Sequence, residues 1–447
     1  MSIKINIIGT GYVGLVSGVC LAAKGHKVKC FDTNESTIKI LKSGKSHIHE
    51  NSLEELLEEF SNNISFQLLN SDSEYKLLDC EVILIAVGTP TINNKIHLGQ
   101  IEKACSTVGR LIKKSEKFIS VIIKSTVVPG TTDTFVKKII EDSSGKKLGE
   151  FGIGMNPEFL REGNAVEDFM NPDRIVFGYE DKNTLDLLKK IYIPWDADKV
   201  EVNTRSAEMI KYVNNSLLAT QISTINEYSN IAKAIGGIDF NKVMNGVHLD
   251  NRWSPKLNDR KIFPKIIDYL KPGCGFGGSC FPKDVKAIAA LAKEVGVNPL
   301  ILDSVIQVNK NQPSVILDVL KNKIESFDNK KIMILGLAFK PDTDDVRESV
   351  SLELLKILSK ESCMLTAHDP IAIENAKKSI DFNDKINFTS DWKKEILNND
   401  IIIIATNWNE YMDIKNLDKS LKNKILFDTR SLFNRKYFSE IEYLNIN

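Results

Sequence analysis

Short runs of β-branched and other apolar residues alternate with charged, amphipathic stretches over the first 200 residues. The clearest runs are KINIIG, HKVKCF, EVILIAV and KFISVIIKS. Continuous apolar runs that alternate with helical patterns are typical of a parallel sheet with helices on both faces. The same alternation begins again near residue 330 with KIMILG, SCMLTAHD, DIIIIAT and KILFDTR. The pattern therefore predicts two α/β regions.

The stretch between these two regions has a helical pattern. It runs without proline from Thr204 to about Ile235 and ends at two glycines, which are a helix stop signal. A second helical pattern runs from Pro282 to about Val295. We expect an α/β protein with two Rossmann-like doubly wound domains joined by a helical middle that contains a long helix. The expected domains cover residues 1–200, 201–310 and 311–447.

Composition narrows the choice of partners and compartment. Lys+Arg and Asp+Glu are both 59, so the net charge is zero and favours neither nucleic acid nor a membrane surface. No apolar run approaches the length of a transmembrane helix. The seven cysteines are scattered without a CxxC pair, and the six histidines are scattered too. This argues against a metal site or a disulfide framework and indicates a reducing cytoplasm.

A glycine motif follows the first predicted strand. Gly9, Gly11 and Gly14 have the G-x-G-x-x-G spacing, a helical pattern follows them, and Asp32 ends the next strand. In this context the glycines make a tight turn and let the backbone approach a pyrophosphate, and the aspartate binds the ribose hydroxyls. Asp32 would repel the extra phosphate of NADP, so NAD is the expected cofactor. The alternative is a glycine-rich turn without a ligand.

Two further strands of this sheet end in VGTP and KSTVVPG. Ligands of open α/β sheets gather along the carboxyl edge of the strands. Thr89 and Thr126 could therefore donate hydrogen bonds to the cofactor, or they could be turn residues.

GFGGSCFPKD places Cys280 between a glycine-rich turn and a helix start. A thiol at a helix N-terminus is near the positive end of the dipole, which favours the reactive thiolate. Asp284, in the first turn, is ordinary helix N-terminal chemistry or a proton acceptor beside the thiol. The alternative for Cys280 is an incidental cysteine in a capping turn.

Lys211 and Asn215 lie four residues apart on the long predicted helix, on a line that becomes apolar. Such polar groups need partners, either structural hydrogen bonds or a ligand. A nicotinamide domain combined with an activated cysteine suits oxidation of an aldehyde, because the thiol adds to the carbonyl and gives a tetrahedral hydride donor.

The chain resembles the nucleotide-sugar 6-dehydrogenase family nearly end to end. The resemblance rests on segments that occur in the family's order: GTGYVGL, VGTP, KSTVVPGT, NPEFLREGNAVEDFMNPDRIVFG, SAEMIKYVNN, GFGGSCFPKD and GLAFKPDTDDVRES. It implies oxidation of a sugar 6-hydroxymethyl group to a carboxylate with two NAD and no metal, through a cysteine thiohemiacetal and thioester. UDP-glucose, giving UDP-glucuronate for polysaccharide biosynthesis, is the expected substrate. GDP-mannose or a UDP-N-acetylhexosamine is the alternative, and a non-catalytic nucleotide-sugar sensor or a simple hydroxyacid dehydrogenase represents a different class.

The resemblance also implies roles for individual residues. Cys280 is the nucleophile, Lys211 stabilises the oxyanion with Asn215 as its partner, and Asp284 and Glu158 serve proton transfer and water activation. The implied catalytic residues are Cys280, Lys211, Asn215, Asp284, Glu158 and Thr126. The implied cofactor contacts are Gly9, Gly11, Tyr12, Val13, Gly14, Asp32, Thr89, Thr126, Glu162, Lys283 and Arg347. The implied substrate contacts are Phe159, Leu160, Arg161, Glu162, Lys211, Asn215, Arg252, Tyr269, Leu270, Lys271, Pro272, Gly273, Gly277 and Lys340.

The second α/β domain starts at GLAFK, which lacks the full glycine motif. By resemblance it binds the UDP end of the substrate and not a second NAD. The segment SPKLNDRKIFPKIIDY before the cysteine loop is longer than the family pattern and could reshape the sugar pocket. We expect a homodimer or a higher homo-oligomer, with the long helix as a possible seam.

Overall fold

The structure is a computed structural model that describes residues 2–92 and 94–446. It consists of two compact units, one up to Asn214 and one from Asn215 onward. The division falls inside the long helix, so the three-part division at residues 200 and 310 stays a prediction.

The first unit is built on a sheet to which eight strands contribute within the described residues, and a small hairpin lies outside that sheet. The strands are β1 (Lys4–Ile8), β2 (Lys27–Asp32), β3 (Ile64–Leu68), β4 (Val82–Ile85), the hairpin strands β5 (Thr91–Ile92) and β6 (Lys95–Ile96), β7 (Ser120–Ile123), β8 (Gly152–Met155), β9 (Arg174–Tyr179) and β10 (Asp198–Val202). The sheet order is β10-β9-β8-β7-β4-β1-β2-β3. The pairs are parallel except β8 with β9.

Helices cover both faces of this sheet, as the continuous apolar strands require. They are α1 (Tyr12–Ala23), α2 (Glu35–Lys42), α3 (Leu53–Glu59), α4 (Gly99–Ile112), α5 (Lys137–Ser144), α6 (Ala165–Met170), α7 (Lys182–Ile191) and the long helix α8 (Thr204–Ile235). A π-helical turn (Thr131–Val136) leads into α5. Every residue of β4, β7 and β8 is buried, and a separate apolar core lies on each face.

The second unit contains a fully parallel sheet of six strands among the residues that the structure describes. A separate hairpin of β11 (Lys256–Leu257) and β12 (Arg260–Lys261) precedes this sheet in the sequence. The six strands of the sheet are β13 (Lys331–Leu335), β14 (Met364–His368), β15 (Ile386–Phe388), β16 (Ile401–Ile404), β17 (Ile425–Asp428) and β18 (Glu442–Asn445). The helices after α8 are α9 (Phe240–His248), α10 (Phe281–Glu294), α11 (Leu300–Ile324), α12 (Val350–Leu358), α13 (Ile373–Ser379) and α14 (Trp392–Glu395).

The order of the second sheet is β15-β14-β13-β16-β17-β18, the arrangement of a dinucleotide-type doubly wound fold. The first sheet has the same order from β3 to β8 and is extended by β9 and β10. In each sheet the strand order reverses beside the first strand, and this is where such sheets bind ligands. The predicted fold class, with two Rossmann-like sheets and a long helix between them, is confirmed. The hairpin of β11 and β12 lies in the segment that the sequence marked as an insertion.

Candidate active site

The glycine loop follows β1 and leads directly into α1. Gly9 has a φ of +98°, and a Cβ at this position would lie 2.6 Å from the carbonyl oxygen of Ala86. A Cβ at Gly14 would lie 2.0 Å from the carbonyl oxygen of Gly9, so the helix packs on the strand only without a side chain there. A Cβ at Gly11 would meet no atom of the described residues within 4 Å. The open space beside Gly11, at a helix N-terminus, fits the pyrophosphate of a dinucleotide.

Asp32 ends β2 beside this loop and is half-buried. Its Oδ2 accepts hydrogen bonds from the backbone N–H of Thr10 at 2.7 Å and from the hydroxyl of Thr10 at 2.8 Å. Its Oδ1 accepts one from the backbone N–H of Asn34 at 2.9 Å. These bonds hold the carboxylate at the edge of the loop, and the exposed part of the side chain fits a ribose hydroxyl.

Tyr12, at the start of α1, connects the glycine loop to a second loop. Its hydroxyl bonds to the buried carboxylate of Glu50 and accepts a hydrogen bond from the backbone N–H of Gly163 at 3.0 Å. Glu50 accepts further bonds from the backbone N–H groups of Gly163 and Ala165, each at 2.8 Å. Burial raises the pKa of Tyr12 far above its ordinary value, and the bond to Glu50 adds to the shift. Sequence reasoning missed Glu50, since a glutamate outside any strand or helix pattern gives no signal.

Thr126 and Thr89 follow β7 and β4, and both are half-buried. The Thr89 hydroxyl donates a hydrogen bond to the carbonyl oxygen of Thr126 at 2.9 Å. The structure therefore brings together the two threonines that the sequence placed at the carboxyl edge of the sheet.

Glu158 and Lys211 form a buried ion pair in the first unit. Lys211 Nζ lies 2.8 Å from Glu158 Oε1 and donates a second bond of 2.8 Å to the Glu158 carbonyl. The Lys211 side chain is 4% exposed and the Glu158 side chain is 6% exposed. Burial by itself raises the pKa of Glu158, but the attraction to Lys211 and the bond from the Leu160 N–H outweigh it, so the pKa is below its usual range. The carboxylate is therefore ionised, and one polar residue of the long helix has a charged partner.

The neighbours of Glu158 in the predicted substrate cradle occupy different environments. The ring of Phe159 lies under the Arg174 guanidinium at 4.0 Å and 5.5 Å from Lys211 Nζ. Leu160 packs against the core beneath α1. Arg161 pairs with Asp168, with 2.6 Å between Nη2 and Oδ1. The Phe159 ring and the backbone of Glu158 and Leu160 thus adjoin the ion pair.

In the second unit, Cys280 is the N-cap residue of α10 and is half-buried. Pro282 lies in the first turn, as predicted, and the Asp284 N–H donates to the Cys280 carbonyl at 2.9 Å. The preceding loop is tightly held. A Cβ at Gly277 would lie 2.4 Å from the carbonyl oxygen of Glu348, and one at Gly278 would lie 2.7 Å from the ring of Phe339. Glycine is required here because backbone and ring approach so closely.

Asp284 is fully buried one turn after Cys280 and has two side-chain partners. Its Oδ2 accepts a hydrogen bond from Asn215 Nδ2 at 2.7 Å, and its Oδ1 lies 2.9 Å from Lys283 Nζ. The structure therefore joins three residues that the sequence assigned to catalysis and to cofactor binding. Asn215 follows Lys211 by one turn of α8.

The predicted cradle from Tyr269 to Gly273 includes a 3₁₀ turn that precedes the cysteine loop. Leu270 and Pro272 are buried, and the Gly273 N–H donates to Asn226 Oδ1 at 2.8 Å. Lys271 is exposed and pairs with Asp268 at 2.8 Å.

Three predicted basic contacts lie elsewhere in this unit. Lys340 lies in the segment after β13, 5.7 Å from the ring of Phe339. Arg347 pairs with Asp345 at 2.8 Å, and Arg252 pairs with Asp250 at 2.7 Å. Each of these arginines binds a carboxylate of its own loop, and their roles toward ligands stay predictions.

No group of three His, Cys, Asp or Glu side chains within the described residues could hold a metal ion. In residues 2–92 and 94–446, no helix combines the length and apolar character needed to cross a bilayer.

A glycine cradle at a helix start, with an acidic residue at the end of the next strand, is the arrangement of a dinucleotide-binding domain. Sequence models of the UDP-glucose/GDP-mannose dehydrogenase family match the chain in three parts: the NAD binding domain at residues 3–196, the central domain at residues 205–311 and the UDP binding domain at residues 333–435. The chain belongs to this family. The predicted family, enzyme class and cofactor are thereby confirmed.

Individual relatives cover nearly the whole chain. UDP-glucose 6-dehydrogenase AglM of Haloferax volcanii is 35% identical over 99% of this chain and 100% of that protein. UDP-glucose 6-dehydrogenase TuaD of Bacillus subtilis is 36% identical over 99% of this chain and 92% of that protein. The structure of a UDP-glucose dehydrogenase from Pyrobaculum islandicum is 34% identical, has a TM-score of 0.88 and covers 100% of this chain and 98% of that one.

Proposed function

We propose that the protein oxidises UDP-glucose to UDP-glucuronate in two successive two-electron steps, with Cys280 as the nucleophile of the second. The observation that carries this proposal is the arrangement at α10: Cys280 caps the helix, and Asp284 is fully buried in its first turn, bonded to Asn215 at 2.7 Å. A fully buried carboxylate one helical turn after an N-cap thiol fits water activation or proton transfer in thiol chemistry. Support for UDP-glucose comes from the two relatives named above, which carry that activity in their names.

The first step removes two electrons from the sugar 6-hydroxymethyl group and leaves an aldehyde. When bound, NAD accepts the hydride in each step. The hydroxyl proton needs an acceptor, and the ionised carboxylate of Glu158 is the candidate within the first unit. Lys211 stabilises the negative charge that develops on the reacting oxygen, because a buried ammonium acts strongly in a site from which water is excluded.

In the second step the thiolate of Cys280 adds to the aldehyde carbon, and the oxygen takes up a proton. The resulting thiohemiacetal loses a hydride and a proton and becomes a thioester. Water then cleaves the C–S bond, which gives the carboxylate and restores the thiol. Asp284 holds or activates this water, and Lys283 and Asn215 fix the orientation of its carboxylate.

The test is the stoichiometry of reduction at the end point. With limiting UDP-glucose and excess NAD, each sugar should yield two NADH and one UDP-glucuronate with little free aldehyde, measured by absorbance and product mass. One NADH per sugar, or an aldehyde as the main product, would contradict the thiol mechanism and indicate a simple alcohol dehydrogenase. A nucleotide-sugar sensor would form no NADH.

A Cys280→Ser variant should fold but fail to complete net turnover, since a hydroxyl is a far poorer nucleophile than a thiolate at neutral pH. Cys363→Ser is the matched control, because Cys363 is also half-buried but lies just before β14. Equal steady-state rates for the two variants would exclude the nucleophile role.

GDP-mannose is the second candidate substrate. GDP-mannose 6-dehydrogenase of Pseudomonas aeruginosa is 41% identical over 79% of this chain and 78% of that protein. Two NADH per GDP-mannose and none with UDP-glucose would keep the mechanism and change the substrate.

A further inference from the structure

Lys124 has no role in the mechanism above, although it bonds to Asn156, two residues before Glu158. It directly follows β7 and is 3% exposed. Its ammonium donates to Asn156 Oδ1 at 2.9 Å, and the same oxygen accepts a bond from the Tyr192 hydroxyl at 2.6 Å. Asn156 in turn donates to the carbonyl oxygen of Val176 at 2.9 Å. Lys124 Nζ also donates to the Asn156 carbonyl oxygen at 3.4 Å, so it holds both the side chain and the backbone two residues before Glu158.

The ammonium is also electrostatically coupled to the pair itself. Burial lowers the pKa of Lys124 to about 8; attraction to Glu158 opposes this shift and repulsion from Lys211 adds to it. Two further titratable groups beside it, Cys20 and Tyr192, are neutral. Burial raises the pKa of Cys20 to about 12 and that of Tyr192 above its ordinary range. The charged groups coupled to Lys124 thus include the ammonium of Lys211 and the carboxylate of Glu158.

A buried ammonium such as that of Lys124 is costly in the resting protein, as the lowering of its pKa by burial indicates. The cost falls when a negative charge appears nearby, as it does on the substrate oxygen in the proposed reaction. An interaction that strengthens only as this charge develops accelerates the chemical step and does not merely tighten binding.

We propose that Lys124 is a positioning residue for this oxidation, which fixes the loop of Glu158 through Asn156 and adds a buried positive charge that is electrostatically coupled to the Glu158–Lys211 pair. The proposal rests on the proposed function of Glu158 and Lys211. It assigns Lys124 an electrostatic effect on the reaction that a merely structural lysine would lack.

Lys124→Met and Tyr192→Phe form a matched pair, because each removes one hydrogen bond to Asn156 Oδ1 and only the first removes a charge. Lys124→Met should lower kcat on the order of tenfold. The acid limb of the pH–kcat profile of Lys124→Met should move to higher pH, because Lys124 helps to keep the pKa of Glu158 low. A decline of wild-type kcat above about pH 8, where Lys124 loses its proton, should be absent from this variant.

Lys124→Arg should restore most of the rate. Tyr192→Phe should keep the wild-type profile. Identical profiles for Lys124→Met and the wild type, or the same shift in both members of the pair, would overturn the proposal.

A second measurement requires neither catalytic turnover nor a folded Lys124→Met variant. In wild-type protein with ¹³C-labelled lysine, the Cε resonance assigned by its loss in Lys124→Arg should titrate near pH 8. In Glu158→Gln it should titrate at lower pH, since the attraction of the carboxylate is gone. An unchanged titration would refute the coupling. If the wild type oxidises no nucleotide sugar, the proposed function fails, and this titration still decides whether Lys124 is coupled to Glu158.

Discussion

In both sheets a glycine of positive φ directly follows the first strand, and an aspartate stands at or directly after the end of the second strand. These residues are Gly9 and Asp32 in the first unit and Gly336 and Asp369 in the second. Glycine is required at both positions because a Cβ would clash with a neighbouring residue. A Cβ at Gly336 would lie 2.4 Å from Thr406 Cβ, much as one at Gly9 would strike Ala86.

The two aspartates are used differently. Asp32 is half-buried, so part of this residue is accessible at the edge of the loop. Asp369 is 1% exposed. It accepts hydrogen bonds from four backbone N–H groups and one indole, at 2.7 to 3.1 Å, which belong to Leu337, Ala338, Ile371, Ala372 and Trp408. One carboxylate can still bind a ligand, and the other organises its own loop.

The segments after the glycines differ as well. α1 begins at Tyr12, immediately after the first loop, whereas α12 begins only at Val350. The second loop therefore has no adjacent helix N-terminus for a pyrophosphate. The same strand, glycine, strand and aspartate pattern indicates a dinucleotide site only where a helix start and an accessible carboxylate accompany it.

The largest effect is expected at the buried aspartate. Asp369→Ala leaves several buried donors without an acceptor, so the free energy of unfolding should fall by roughly 3–5 kcal/mol. Denaturant unfolding measures this loss, and NAD affinity of the folded fraction should be unchanged. Asp32→Ala is the comparison variant and should lose less stability, roughly 1–2 kcal/mol, because Asp32 is half-buried and accepts hydrogen bonds from fewer donors. Equal losses would mean that the two aspartates do not differ.

The second largest effect is expected in the dependence of the unfolding free energy on pH. His368 precedes Asp369 where the first sheet has Phe31 before Asp32, and burial lowers the pKa of His368 to about 4. Between about pH 6.5 and 4 the folded protein then binds fewer protons than the unfolded chain. The stabilisation is complete above the unfolded pKa and is lost as the pH falls, by about 3 kcal/mol in total.

Unfolding free energies of wild type and His368→Phe across this pH range test the effect. The variant carries the aromatic residue of the first sheet and should show a flatter dependence. Parallel curves for the two proteins would show that another group is responsible.

The third effect is expected in cofactor affinity, and it concerns the aspartate of the first sheet, Asp32. Asp32→Ala should weaken NAD binding by about 1.5–3 kcal/mol, roughly 10- to 150-fold, because it removes a charged acceptor from the ribose. NADP binding should weaken less, since a repulsion is lost too. Calorimetric titration with both cofactors measures this difference. Glu35→Ala, an exposed change on α2, should leave both affinities unaltered. Equal weakening of NAD and NADP would argue against ribose contact.

The smallest effect is expected at Gly11. Gly11→Ala places a methyl group in open space, so stability should change by less than about 0.5 kcal/mol. NAD affinity should fall several-fold, about 1 kcal/mol, because that space is needed for the pyrophosphate. Gly14→Ala should show the opposite pattern, with loss of stability from the contact with the Gly9 carbonyl. A stability loss for Gly11→Ala would mean that the space is not open.

Much of the fold and part of the site could be predicted because their signals are local. Apolar runs and turn residues predicted both sheets and the long helix, since strand and helix periods depend on neighbours in the chain. The spacing of Gly9, Gly11 and Gly14 and the N-cap position of Cys280 are equally local. The family resemblance added the roles of Glu158 and Asp284, whose positions no periodicity marks.

Tertiary structure alone decided which polar groups meet. Glu50 bonds to the Gly163 N–H across 113 residues, and the pattern around a lone glutamate contains nothing to predict this contact. Lys124 and Asp369 follow strands in the sequence as many solvated residues do. Only the packing of helices over both faces buries them and makes their charges costly. The sequence by itself thus determined the elements, the cofactor loop and the family. Long-range packing determined which charges are buried together, because desolvation depends on every element that excludes water from the site.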